Sequence, residues 1–305
     1  MNTEKNQPTF APGLHRDIPA DAYHAAAGIS NSALKDFRAW GPHKWKWLRD
    51  HPQPRASTPA QERGTLFHLA VFESAKFGAG ISHHVRPPDL SFATKEGKAW
   101  KIEHADLPLL TVDENANIRG AAAALRADPF AGPMLSANGL AEVSAFAHHP
   151  GTGLLTKCRI DWLTQDNKGK PWILDAKSCD SLDGFPFSAR EYSYDVQSVF
   201  YTDLLEKLPT PVVEENTESK SDMYDGPIFN TSFLFAAVEL TPPFDLRLEI
   251  VAADDLHAAR MLYQADLASI ADCHERGAWP RKYPAVGAMK MPRRWTAERE
   301  EEGWA

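Results

Sequence analysis

Cysteine is scarce in this chain: Cys158, Cys179 and Cys273 are the only three among 305 residues, odd in number and widely spaced. A disulfide framework needs a dense, even set, and a zinc site or four-cysteine iron–sulfur cluster needs more thiols at closer spacing. Three reduced thiols and no iron–sulfur cluster are therefore expected. No apolar run approaches the roughly 18 residues of a membrane-spanning helix, so no membrane association is expected. Met1 to Pro12 lacks the apolar core of a secretion signal, which makes a cytoplasmic location the expectation. Positive charge is not in excess either: 33 Lys and Arg stand against 41 Asp and Glu, a net charge of −8. That balance excludes a coat of basic surface but leaves room for a local basic groove. Glycine-rich phosphate loops, a Gly-x-Ser-x-Gly elbow and a His-Glu-x-x-His motif are all missing. The remaining composition, 43% hydrophobic and 24% charged, is that of a globular protein able to bury a core without staples.

The pattern along the chain reads as mixed α/β (α+β). Residues 1–17, with Pro8 and Pro12, read as a flexible arm. Ser30 is placed to cap a short helix, a second helix covers His43 to Asp50, and Pro52 and Pro54 mark a break. Thr58-Pro59 opens a helix running to about Phe77, with Gly64 and His68 on one face. Lys95 to Glu103 and Asn115 to Ala127 read as helices, with a short strand at Leu109 to Val112 between them. Strands follow at Leu140 to His148, Leu154 to Leu163 and Trp172 to Lys177. A single amphipathic helix is predicted over Ser188 to Leu208, then an acidic loop over 209–227. Strands Ser232 to Leu240 and Leu246 to Val251 and a helix from Asp254 to Arg276 complete the pattern. One domain is expected over 18–280, with 281–305 as a C-terminal extension packed on the body.

The chemistry concentrates in Lys157-Cys158-Arg159-Ile160-Asp161-Trp162-Leu163, the turn Asp166-Asn167-Lys168-Gly169-Lys170, and Trp172-Ile173-Leu174-Asp175-Ala176-Lys177. Two apolar strands around an Asp/Asn/Lys/Gly turn signal a β-hairpin. A turn centred on Lys168, with Gly169 left-handed, puts Asp161 opposite Asp175. Two carboxylates facing each other in an apolar site repel unless one is protonated or a cation lies between them, and Mg²⁺ or Mn²⁺ suits oxygen ligands. Lys177 falls on the same strand face as Asp175, where its amine can neutralise charge or act on a water.

These residues resemble a known family. An Asp followed by an apolar strand ending in Asp-x-Lys is similar to the core of the PD-(D/E)XK nucleases. Gly64-Thr65-Leu66-Phe67-His68 resembles the helical motif that carries a metal-ligating histidine in RecB-like and RecE-like members. Tyr194-Asp195-Val196-Gln197-Ser198-Val199-Phe200-Tyr201 resembles the later Gln-x-x-x-Tyr helix. Tyr23-His24 and Gly28-Ile29-Ser30-Asn31-Ser32-Ala33-Leu34 are similar to the N-terminal signature of phage and prophage RecE-type proteins, the exodeoxyribonuclease VIII group. The motifs follow the family's order across roughly residues 18–205.

The resemblance implies a restriction-endonuclease-like core with a central mixed sheet flanked by helices. It implies that His68, Asp161, Asp175 and the Ala176 carbonyl bind Mg²⁺ or Mn²⁺, and that Lys177 acts on the attacking water. Gln197 and Tyr201 would support Lys177 or contact the DNA backbone, and Glu142 would be a supporting or second-metal acid. Double-stranded DNA ends, a single-strand annealing partner of the RecT type, and a bacterial or phage origin are implied as well. DNA contacts are expected from Arg63 and Arg159, within a basic cleft that could also draw on Lys44, Lys46, Arg49 and Arg55; a ring-shaped homo-oligomer would concentrate charge differently. The implied activity is a 5′-to-3′ exodeoxyribonuclease leaving 3′ single strands for recombination. Two other readings stay open at this point: a CRISPR- or helicase-associated nuclease of single strands, and a catalytically idle DNA-end binder. The missing cysteines and helicase motifs favour a stand-alone exonuclease.

Overall fold

The computed structural model describes residues 7–52, 57–208 and 228–283. The chain begins with β1 (Gly13–His15), α1 (Ala20–Ala25), α2 (Asn31–Asp50) and α3 (Pro59–Phe72). A small excursion follows: β2 (His84–Val85), α4 (Lys95–Glu103) and β3 (Leu109–Leu110), with β2 and β3 parallel. Then come α5 (Val112–Ala127), α6 (Ala131–Ser136), β4 (Gly139–His148), β5 (Leu155–Gln165) and β6 (Pro171–Cys179). The rest is α7 (Phe185–Tyr192), α8 (Tyr194–Leu205), β7 (Ser232–Glu239), β8 (Leu246–Glu249) and α9 (Ala253–Arg276).

Local signals explain several boundaries. Ser30 accepts a hydrogen bond from the Ala33 amide and caps α2, while Gly41, at φ +74, and Pro42 kink it where two helices were expected. Thr58 and Gln61 form a capping box at the start of α3, and Thr111 and Glu114 form another at α5. Helix α3 stops at Phe72, five residues short of its expected end, and a 3₁₀ turn covers Ser74–Lys76.

The central sheet has the order β1-β4-β5-β6-β7-β8. It is mixed: β6 and β7 run parallel and every other pair is antiparallel. Both faces are covered, which is why its central strands are nearly continuously apolar. Ile173, Phe233, Phe235 and Ala237 pack toward α2, α8 and α9. Trp172, Leu174, Ala176, Leu234 and Ala236 pack toward α3, α5 and α6. Asp175 and Lys177 alternate with Leu174 and Ala176, so they share the α8 side of β6. Ion pairs tie the helices of that layer together: Arg260 forks onto Asp203, and Arg38 meets Asp266 at 2.5 Å.

Two expectations need correction. The N-terminal arm is not free over its whole length, because Gly13–His15 pairs with β4 and Phe10 packs on Phe146. The helix expected over Ser188 to Leu208 is two helices, divided at Ser193 by a left-handed backbone (φ 56, ψ 53). The start of the C-terminal extension packs on the body, as expected: Lys282 Nζ donates to the carbonyls of Arg38 and Ala39. Residues 284–305 and the predicted acidic loop at 209–227 lie outside the described residues.

Candidate active site

The site lies where two strand ladders break. The β5–β6 register is centred on Lys168, Gly169 is left-handed at φ +78, and Trp162–Leu174 is the last pair of the ladder toward the strands' far ends. Asp161 and Asp175 are the next opposed positions. On the other side of β5, Ala141–Trp162 and Val143–Ile160 pair, but Glu142 and Asp161 between them do not. Glu142 has φ +50, a conformation that costs a non-glycine residue about 1–2 kcal/mol. Ile160 and Leu163, an odd number of residues apart, both join the same core, so strict alternation fails across Asp161. The strands therefore part around their acidic residues.

His68 projects from α3 into this gap. Donor atoms of His68, Glu142 and Asp161 all lie within 4.8 Å of one another. His68 Nδ1 is 3.5 Å from Asp161 Oδ2, and its Nε2 is 2.6 Å from the Ala176 carbonyl oxygen. A carbonyl can only accept, so this contact places the ring proton on Nε2. Asp161 Oδ2 is buried and makes no hydrogen bond. Burial, then the neighbouring Asp175, pushes the Asp161 carboxyl up to about 7. Glu142 is held by Arg159, whose Nε donates to Oε2 at 2.6 Å while Nη1 donates to the Ile18 carbonyl at 2.8 Å. Arg159, expected as a DNA contact, is thus half-buried and engaged with an acid of the site.

Asp175, also expected as a metal ligand, is 1% exposed and lies outside the His68–Glu142–Asp161 donor cluster, though close enough to act on Asp161. Its Oδ1 lies 2.5 Å from Lys177 Nζ, and its Oδ2 accepts from Gln197 Nε2 at 2.6 Å. Burial opposes the charge on Lys177, but Asp175 and Asp161 outweigh it and hold the ammonium above the ordinary lysine range. The amine also sits 5.0 Å from the centre of the Tyr194 ring. Gln197 therefore reaches the acid that holds Lys177. Tyr201, one turn further along α8, instead packs on Phe233 and Phe200, and burial raises its hydroxyl well above the usual range.

Residues of this centre line two cavities. Gln197 and Tyr201 line one of about 550 Å³, with Asn31, Arg49 and Lys157 among its other walls. Lys157 Nζ donates to the carbonyls of Tyr23 and Ala26 at the end of α1, and burial lowers its pKa to about 8. Asn31 Oδ1 is buried there without a hydrogen-bond partner. Lys177 and Arg63 line the other cavity, of about 360 Å³, and Arg63 also lies 3.5 Å from Glu114. Of the other expected basic residues, Lys46 pairs with Asp50 and Lys44 lies over Trp40, while Arg55 is outside the described residues.

The donor set fits a hard divalent cation. Carboxylate oxygens and an imidazole converge, and a buried carboxylate oxygen without a hydrogen bond is what a cation would satisfy. Together, the mixed sheet, a histidine delivered by a helix and a strand ending Asp-x-Lys define a PD-(D/E)XK-type core. The chain belongs to the family described as "PDDEXK-like domain of unknown function (DUF3799)", whose model matches residues 30–290. Among solved structures it is similar to a "Putative exonuclease" from Eubacterium rectale, with 15% identity over 91% of this chain and 96% of that one and a TM-score of 0.54; at that identity the likeness is one of fold. A second structure, SSO0001, is 13% identical over 68% of this chain and 84% of that one, but its TM-score of 0.27 carries no argument. No curated protein matches the chain significantly. Among the described residues, no helix is long and apolar enough to cross a membrane.

Sequence reasoning missed the pairing of Arg159 with Glu142 and the ring of Tyr194 beneath Lys177. The first was within reach once β4 and β5 were paired, since Glu142 falls opposite Asp161 and Arg159 lies two residues from it. The second depends on the break at Ser193, which no residue pattern announces.

Proposed function

We propose that the protein is a divalent-metal-dependent exodeoxyribonuclease of the RecE type. It degrades linear double-stranded DNA from the 5′ end and leaves 3′ single strands for recombination by annealing. The observation that carries this reading is the convergence of His68, Glu142 and Asp161 beside the buried Asp175–Lys177–Gln197 chain. The order of the N-terminal, histidine, Asp-x-Lys and Gln-x-x-x-Tyr motifs supports the RecE type.

His68, Glu142 and Asp161 would hold Mg²⁺ or Mn²⁺, with Asp175 and the Ala176 carbonyl as the further ligands that the resemblance implies. When bound, such an ion supplies charge neutralisation at the scissile phosphate and a lower pKa for an attacking water. The chain's own groups do the positioning. Lys177 holds an ammonium between Asp175 and the Tyr194 ring, where it orients the water and offsets charge developing on the phosphate. Gln197 fixes the carboxylate that holds Lys177 in place. Arg159 fixes Glu142. The cavity beyond Gln197 has cationic walls in Arg49 and Lys157 and the volume for a terminal nucleotide. These local cations serve a chain whose net charge is negative.

The test is a time course on linear duplex labelled separately at its 5′ and 3′ ends, with Mg²⁺ or with chelator. Early, Mg²⁺-dependent release of the 5′ label with retention of the 3′ label supports the proposal. Preferential digestion of single strands supports the helicase-associated reading instead, and end binding without product supports the idle binder. The exposed 3′ strand suits an annealing partner of the RecT type, which would accelerate strand annealing of the digested product. A ring-shaped homo-oligomer around the duplex would appear as a discrete larger species in sedimentation.

A further inference from the structure

Tyr192 ends α7 and Tyr194 opens α8. In an unbroken helix, residues two apart lie about 200° apart around the axis and cannot share a face. The left-handed Ser193 between them removes that restriction. The two rings stack, with centroids 6.0 Å apart and planes 24° apart, and Tyr194 stacks in turn on Phe235 at 5.1 Å and 19°. The result is a three-ring column whose outermost member, Tyr192, is 48% exposed. Both tyrosines line the 360 Å³ cavity that also holds Lys177, Arg63, Ser178 and Ser181. Lys35 Nζ lies 4.5 Å from the Tyr192 ring centre. An aromatic platform with Arg63 beside it and the Lys35 ammonium over its outermost ring, opening beside the proposed cleavage centre, has the chemistry that binds single-stranded nucleic acid: every base has a π-face, and every linkage has a phosphate. A non-glycine residue held left-handed at the one position that brings the rings together points the same way, since such strain clusters at ligand-binding sites.

We propose that this cavity receives an unpaired nucleobase of the DNA strand next to the phosphate at Lys177. The base stacks on the Tyr192–Tyr194 column, taking the place of the Lys35 ammonium over Tyr192, and Lys35 swings out to join Arg63 at the adjoining phosphates. This assignment deepens the nuclease reading and rests on it. It makes Tyr192 a substrate-binding residue with no part in the proton or phosphate chemistry.

The test uses the full chain in chelator with short single-stranded oligonucleotides carrying 2-aminopurine at one of the first four positions from either end. Wild type should quench the probe strongly at one position. Tyr192→Ala should abolish that quenching and weaken binding about tenfold, the scale of one lost base stack. Tyr192→Phe, which keeps the ring, should restore both. An oligonucleotide abasic at the responsive position should bind wild type and Tyr192→Ala equally. Equal quenching and equal affinity for wild type and Tyr192→Ala on the intact oligonucleotide would overturn the assignment, and so would a Tyr192→Phe that behaves like Tyr192→Ala. Mg²⁺-dependent cleavage is scored in parallel. Cleavage by wild type with no Tyr192 effect on binding removes the base site alone, whereas position-specific quenching without any cleavage upholds base binding and removes the nuclease reading.

Discussion

Lys177 lies between two stretches that hold their strain in different forms. On the strand side, Glu142, Asp161 and Asp175 crowd into a gap in the sheet, and an electrostatic penalty adds to the left-handed backbone of Glu142: a buried carboxylate oxygen with no hydrogen bond and an acid pushed up to about 7 by burial and its neighbour. On the helix side, Ser193 carries a left-handed backbone beside rings that are chemically quiet. A cation, a proton or loss of the acid can relieve the first kind of strain. Only a change in the residue's steric freedom can relieve the second. In the proposed nuclease, one flank is poised for reaction and the other is shaped for binding, with Lys177 between them.

The largest expected effect falls on the strand side. Lys177→Ala should reduce Mg²⁺-dependent cleavage by about 10³-fold or more, the scale of a lost transition-state contact, with the circular dichroism spectrum unchanged. Asp161→Asn should abolish cleavage equally while stabilising the metal-free protein by on the order of 1–2 kcal/mol, because it removes a repelling buried charge. A scan in chelator should show this as a rise in Tm of about 1.5–3 °C, whereas a fall in Tm would mean the acids are not in conflict. Gln197→Ala should follow. It leaves Asp175 Oδ2 buried without its partner, at a cost of about 1–3 kcal/mol measured by urea unfolding, and weakens cleavage less than loss of Lys177 does. The smallest effect belongs to the helix side. Ser193→Gly should leave stability unchanged or raise it by about 1 kcal/mol, while Ser193→Val should lower it. A Ser193→Gly protein that is clearly less stable would show that the left-handed turn carries no strain.

The two flanks were also unequally legible in the sequence. The hairpin declares itself because its turn residues and apolar runs are symmetric about Lys168 and Gly169 supplies the left-handed position, so the opposition of Asp161 and Asp175 follows by counting. The caps at Ser30, Thr58 and Thr111 mark helix starts through local hydrogen bonds that short-range pattern encodes. The division at Ser193 is hidden because apolar residues continue at helical spacing on both sides of it and serine carries no mark of a left-handed position. Gly13–His15 escapes because an edge strand of three residues between prolines has too little length for alternation to show. The resemblance offers Glu142 as a supporting or second-metal acid, but its approach to His68 depends on strands parting, which is a tertiary event that no residue pattern encodes.

The central claim is that the His68, Glu142 and Asp161 donors form a divalent-cation site. Equilibrium titration of Mn²⁺ by electron paramagnetic resonance, on wild type and Asp161→Asn, tests it most directly. The account expects saturable binding by wild type and at least tenfold weaker binding by the variant. Equal Mn²⁺ affinity in the two proteins, or no saturable binding to wild type, would contradict it.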